Sequence, residues 1–177
     1  MEEQTDRRPM ILAGFALVAL VIVAVVLIGR SGGDDDSSAK GSCETSPGPV
    51  ATNAKKTKPD VEVPDCEAPA ELVINELEKG TGPEAKAGDE VTVQYVGIGF
   101  ESGEEFDASW NSGRPFTFEL GSGGVIAGWD QGVEGMKVGG RRELIIPPDL
   151  AYGEAGSPPA IGPNETLVFV IDLVAVK

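Results

Sequence analysis

The residues with chemical reach in this chain are aromatic rings, hydroxyls and carboxylates, because it has no histidine and only 2 cysteines. A Ser-His-Asp or Cys-His nucleophile cannot be assembled from it, nor can a His-ligated or four-thiolate metal site. There are 29 Asp+Glu against 14 Lys+Arg, a net charge of −15. A chain this acidic lacks the basic face that phosphate backbones require, which argues against nucleic acid as a main partner. Chemistry must then run on carboxylates, hydroxyls, backbone amides or an apolar pocket. The aromatic residues supply material for a pocket. Apart from Phe15 they fall between Tyr95 and Phe169, and Phe106 is followed directly by the carboxylate of Asp107.

The elements around these residues have a period of two. Val91–Tyr95 and Phe116–Leu120 alternate and are rich in β-branched or aromatic residues, which predicts strands. Arg141–Ile146 and Thr166–Val176 read the same way, and Leu72–Leu77 is a fifth candidate. Glycine-containing turns separate them, at 80–82, 101–103, 121–124 and 139–140. One stretch suits a helix, Ile126–Met136, and its glycines keep it short. The fold class expected is α+β, an antiparallel sheet against one short helix. A single helix covers such a sheet only if the sheet curls around it.

The remainder of the chain is organised differently. Met10–Gly29 runs without a charge. As a helix it would span roughly 30 Å, the thickness of a bilayer's hydrocarbon core. It is longer than the apolar core of a cleaved signal peptide and is followed by Arg30 and Asp34–Asp36 rather than a small-residue cleavage site. We expect an uncleaved single-pass anchor at 10–29, with residues 1–9 cytoplasmic and the rest extracytoplasmic; a signal sequence is the alternative. Residues 30–66 are Gly-, Ser-, Asp-, Pro- and Lys-rich, a composition that reads as a flexible linker with a reach of roughly 30–36 Å. Outside the cytoplasm, Cys43 and Cys66 are candidates for a disulfide that would contribute about 3 kcal/mol against the unfolded state; two free thiols are the alternative. Residues 67–177 form the folded domain and carry 19 acids and 7 bases, so most of the acidity belongs to it.

Across that domain a series of segments is similar to the FKBP-type peptidyl-prolyl cis-trans isomerases. They are Val93–Gly97, Phe106–Ser109, Pro115–Phe118, Val125–Trp129, Gly132–Met136, Val138–Arg141, Ala151–Gly153 and Thr166–Phe169. The resemblance is ordered and runs from about Leu72 to Val174. It implies an antiparallel half-barrel sheet wrapped around a short helix. It also implies rotation about X–Pro bonds, with proline-containing polypeptides as substrates and macrolides such as rapamycin as ligands, and no cofactor or metal. The same resemblance assigns Tyr95, Phe106, Asp107, Trp129, Tyr152 and Phe169 to catalysis, and Phe116, Val125, Ile126, Ala151 and Ile161 to substrate binding. In it Trp129 is the floor under the proline ring, and the Ile126 N–H and Tyr152 hydroxyl are donors to substrate carbonyls. The alternative is a proline-peptide binding or chaperone module without turnover.

Two departures from the family pattern matter. Ser112 stands where many relatives have a basic residue able to pair with Asp107, leaving Arg114 as a substitute. In the loop 153–163, Ser157 and Ala160 replace larger residues. These changes bear on substrate preference and macrolide affinity.

Overall fold

The structure is a computed structural model and describes Cys43 and residues 57–177. The expected anchor at 10–29 lies outside the described residues. Among those residues no helix is long and apolar enough to cross a membrane.

Six antiparallel strands form the sheet: β1 (Val73–Glu78), β2 (Glu90–Gly99), β3 (Glu105–Ala108), β4 (Phe116–Glu119), β5 (Arg141–Ile146) and β6 (Leu167–Val176). Their order is β1-β5-β6-β2-β3, with β4 also on β2. β3 and β4 share one edge of β2 and are separated by a short helix, α1 (Ser109–Ser112). The sequence pattern did not reveal α1, since four residues are too few to show a 3.6-residue period. A second helix, α2 (Ala127–Val133), lies within the predicted span and ends three residues earlier, where Glu134 turns to extended backbone.

Alternation along the strands divides the apolar residues between two faces. On the inner face Val91, Val93, Leu144, Ile146, Phe169 and Ile171 pack with Trp129 and Val133 of α2. On the outer face Val96, Ile98, Ile145 and Val168 form a second cluster with Cys43 and Cys66. The structure joins those two cysteines, with Cα atoms 5.3 Å apart.

The outer cluster corrects the linker boundary. From residue 57 the chain lies on the sheet rather than hanging free: Pro59, Pro64 and Cys66 are buried, and Val61 packs against the cluster. Proline-rich composition signals the lack of helix or strand here. It does not signal the lack of contact, and a few apolar side chains pinned by a disulfide are enough.

Two acids sit on the outer face of the central strands. Asp172 receives Arg141 at both oxygens, each at 2.6 Å, with both side chains buried. Glu143 is buried too, and its partner is the Asn75 amide at 2.8 Å. Burial raises the Glu143 carboxyl above its ordinary value of 4.5, against the opposing pull of that amide. The folded state then holds a proton more tightly than the unfolded chain. Glu143 therefore weakens the fold as pH rises from the unfolded value through the folded one. Thermal melts of Glu143→Gln should show a gain in Tm at pH 8 that disappears at pH 4. An equal effect at both pH values would refute this account.

Candidate active site

The inner face opens at one end of the sheet into a cavity of about 290 Å³. Its position follows from a defect in pairing. Gly97 opposes Asp107 and Ile98 opposes Glu105, so Phe106 is an extra residue in β3. Such a bulge re-aims side chains, and here consecutive residues, Phe106 and Asp107, both line the cavity. Gly97 makes room for them. A Cβ there would lie 2.6 Å from the Phe169 ring and 2.7 Å from the Phe106 ring.

Trp129 forms the floor and is 4% exposed. Rings of Tyr95 and Phe169 meet it edge-on, at 5.0 and 5.2 Å, and Phe116 does so at 6.1 Å. Edge-to-face contacts lock ring orientation as well as area, so the floor is set before any ligand arrives. Tyr152 and Phe116 are its exposed rings, at 42% and 40%. The Tyr152 hydroxyl makes no hydrogen bond among the described residues. Ile126 precedes α2, and its carbonyl accepts the Trp129 N–H at 2.9 Å. The N–H groups at the start of a helix have no partner within it, which leaves that of Ile126 for other acceptors.

The carboxylate of Asp107 is not left unpaired, as the serine at 112 suggested. Tyr95 donates its hydroxyl to Asp107 Oδ2 at 2.5 Å. Burial, and then this carboxylate, push the Tyr95 phenol above its ordinary value of 10.0, so it stays a donor across the physiological range. Ser112 turns away and donates to the Ser109 carbonyl at 2.8 Å. Arg114 forms no ion pair with Asp107. The hydroxyl of Tyr95 takes the place of a cation. Ser109 in turn accepts the Tyr95 backbone N–H at 2.9 Å and donates to the Gln94 amide oxygen, tying α1 to β2.

Of the residues singled out from sequence, Tyr95, Phe106, Asp107, Phe116, Val125, Ile126, Trp129, Tyr152 and Phe169 line this cavity. Ala151 and Ile161 do not. Ile161 is buried in the inner core, and Ala151 is half-buried against it. Ile161 and Ser157 exchange backbone hydrogen bonds at 3.0 and 3.1 Å across the cis Pro158–Pro159 bond. This closes a tight hairpin in the 153–163 loop. Gly156 has a positive φ there, and a Cβ would sit 2.3 Å from the Gly162 oxygen.

Sequence reasoning missed Gly124, which also lines the cavity. It missed as well the residue that holds this part of the wall. Asp130 accepts the N–H groups of Gly121 at 2.8 Å and Gly123 at 3.1 Å, fastening the loop before Val125 to α2. Asn cannot accept at both atoms, and its amide would face a second donor. A hydrogen bond to a charged group contributes about 1.5–3 kcal/mol. Asp130→Asn should lower Tm by about 5 °C or more and raise KM for a proline peptide several-fold. Steady-state kinetics with a KM within twofold of wild type would refute this role.

Comparison with known proteins agrees with this architecture. Residues 82–174 match the family of FKBP-type peptidyl-prolyl cis-trans isomerases. The chain is 62% identical over 120 residues to an FK506-binding protein of Streptomyces anulatus, covering 67% of this chain and 97% of that one. It is 56% identical over 93 residues to the peptidyl-prolyl cis-trans isomerase FPR2 of Saccharomyces cerevisiae, covering 52% of this chain and 69% of that one. Among solved structures, AtFKBP13 superposes with a TM-score of 0.57 at 40% identity, over 62% of this chain and 96% of its own. With the antiparallel sheet, the short helix and the buried indole floor, and with residues 82–174 matched, this chain belongs to the FKBP-type peptidyl-prolyl cis-trans isomerases.

Proposed function

We propose that the chain accelerates rotation about X–Pro bonds in exported polypeptides by holding the twisted amide in the aromatic cavity, without covalent chemistry. The uncatalysed barrier, about 18–20 kcal/mol, is set by amide resonance, and exchange takes tens to hundreds of seconds. No bond breaks, so no nucleophile is needed. An enzyme has only to bind the twisted amide better than either planar form. A twisted amide has lost resonance and carries less charge on oxygen, so it tolerates a dry surround better. The observation that carries this reading is the cavity lined by Trp129, Phe106, Phe169 and Tyr95, with Asp107 as its single carboxylate.

In this mechanism the proline ring rests on Trp129. The Ile126 N–H and Tyr152 hydroxyl hold the flanking carbonyls, and Asp107, oriented by Tyr95, faces the reacting amide. FK506-type macrolides would occupy the same cavity. The test is an X–Pro exchange assay on the purified chain with and without rapamycin. Acceleration abolished by the macrolide is expected. Binding of proline peptides with no acceleration would establish a binding module instead.

The exported setting rests on the length and apolarity of residues 10–29. It rests also on the Cys43–Cys66 disulfide, which suits an oxidising compartment. N-terminal sequencing of membrane-extracted protein should recover Met1 or its neighbours; a mature chain beginning beyond Gly29 would overturn the anchor.

A further inference from the structure

We propose that Lys58 is a positioning residue for the isomerase reaction, acting through Glu105 and Asn111 on the segment that presents Phe106 and Asp107 to the cavity. The inference rests on the isomerase reading above. Lys58 lies well ahead of the family match, which begins at residue 82.

The geometry is a closed triangle. The Lys58 ammonium lies 2.7 Å from both Glu105 oxygens and 3.1 Å from Asn111 Oδ1. The Asn111 amide donates to Glu105 Oε1 at 2.9 Å. Glu105 opens β3 and Asn111 lies in α1, so the triangle holds both ends of the run that includes Phe106, Asp107 and Ser109. That run contains the bulge, where one residue has no partner on β2 and the ladder is locally weak. A tie across its ends supplies the constraint that the missing pairing does not. Against the burial that would raise it, the Lys58 ammonium and the Asn111 amide hold the Glu105 carboxyl below its ordinary range.

The strap that carries Lys58 is itself fixed. Pro59 is buried, Val61 packs on the outer cluster, and Cys66 is bonded to Cys43. Trp110 of α1 packs on the same cluster. The segment thus has one side in the cavity and the other under the strap. A half-exposed ion pair contributes little to stability, so its loss should act on geometry rather than on folding. Small misplacement of groups at a reacting centre lowers the rate strongly.

The experiment uses the full, oxidised chain and an X–Pro peptide, with kcat and KM measured separately. Lys58→Met should lower kcat roughly 3- to 10-fold, with KM within twofold and Tm within about 3 °C. Lys58→Arg should restore at least half the activity, because a guanidinium also binds a carboxylate. Glu105→Gln should lower kcat similarly, and the double variant K58M/E105Q should be no slower than either single one, as expected for residues acting as a unit. An active wild type matched by Lys58→Met, or additive losses in the double variant, would overturn this proposal alone. A wild type without acceleration would overturn the isomerase reading with it.

Discussion

Phe106→Ala should lower kcat/KM for an X–Pro peptide roughly 10²-fold, equivalent to about 2.7 kcal/mol of transition-state stabilisation, while the domain stays folded. Phe106 is the extra residue of the β3 bulge and stands edge-on to Phe169, with centroids 5.5 Å apart. It lines the cavity and is only half-buried, so its truncation opens a wall rather than a void. Water then reaches the reacting amide, and the planar amide, which is the more polar form, gains most from it. The loss should therefore fall on the transition state more than on substrate binding, and appear chiefly in kcat. A stability cost below the roughly 3–5 kcal/mol typical of a buried Phe→Ala change is expected. Protease-coupled kinetics and a thermal melt separate the two effects. A kcat/KM within threefold of wild type would refute water exclusion as the source of catalysis.

Asp172→Ala should cost about 3–5 kcal/mol in folding stability. The Arg141 guanidinium is 3% exposed and is held at both its Nε and Nη2 by the Asp172 carboxylate. The two residues face each other directly in the β5–β6 register. Removing the acid takes both of these charge-assisted bonds away from a buried cation with little access to water. The paired replacement R141M/D172L removes both charges and should return most of the lost stability, because an apolar pair of similar volume avoids the desolvation cost altogether. Urea unfolding of the three proteins decides this. A single-variant loss below 1 kcal/mol, or a double variant as weak as the single, would show that the ion pair is not what holds these strands in register.

Much of this site was legible in the sequence, and the reasons are physical. Alternating β-branched and aromatic residues mark strands because side chains alternate across a sheet, and Val91–Tyr95 and Arg141–Ile146 lie in β2 and β5. The cavity residues followed from resemblance, not from periodicity, which cannot say whether Phe118 or Phe116 looks into a pocket. What was hidden depends on pairing between distant segments. No pattern in Glu105–Ala108 marks Phe106 as the unpaired residue, and none marks Tyr95 as the partner of Asp107. Ile161 is buried in the same cluster as Trp129 and Phe169 but is not among the cavity's lining residues, and the 153–163 hairpin that places it closes through backbone contacts its composition does not announce. The strap at 57–66 was read as linker, since low-complexity segments are defined by what they lack, and its few anchoring residues carry little weight in a composition.

The place of β6 in the sheet has a consequence for how the domain is made. β6 lies between β5 and β2, pairing with β2 from Leu167 to Val176 and with β5 over Leu167–Asp172. It is also the last of the strands to leave the ribosome. Until it emerges, β1 with β5 and β2 with β3 and β4 are two fragments that no strand pairing joins. Contacts of such long sequence separation form late and slowly. The domain should therefore remain open until β6, a strand of 10 residues, has been released to pair with both fragments. Stalling synthesis a few residues short of residue 167 should leave the nascent domain protease-sensitive throughout.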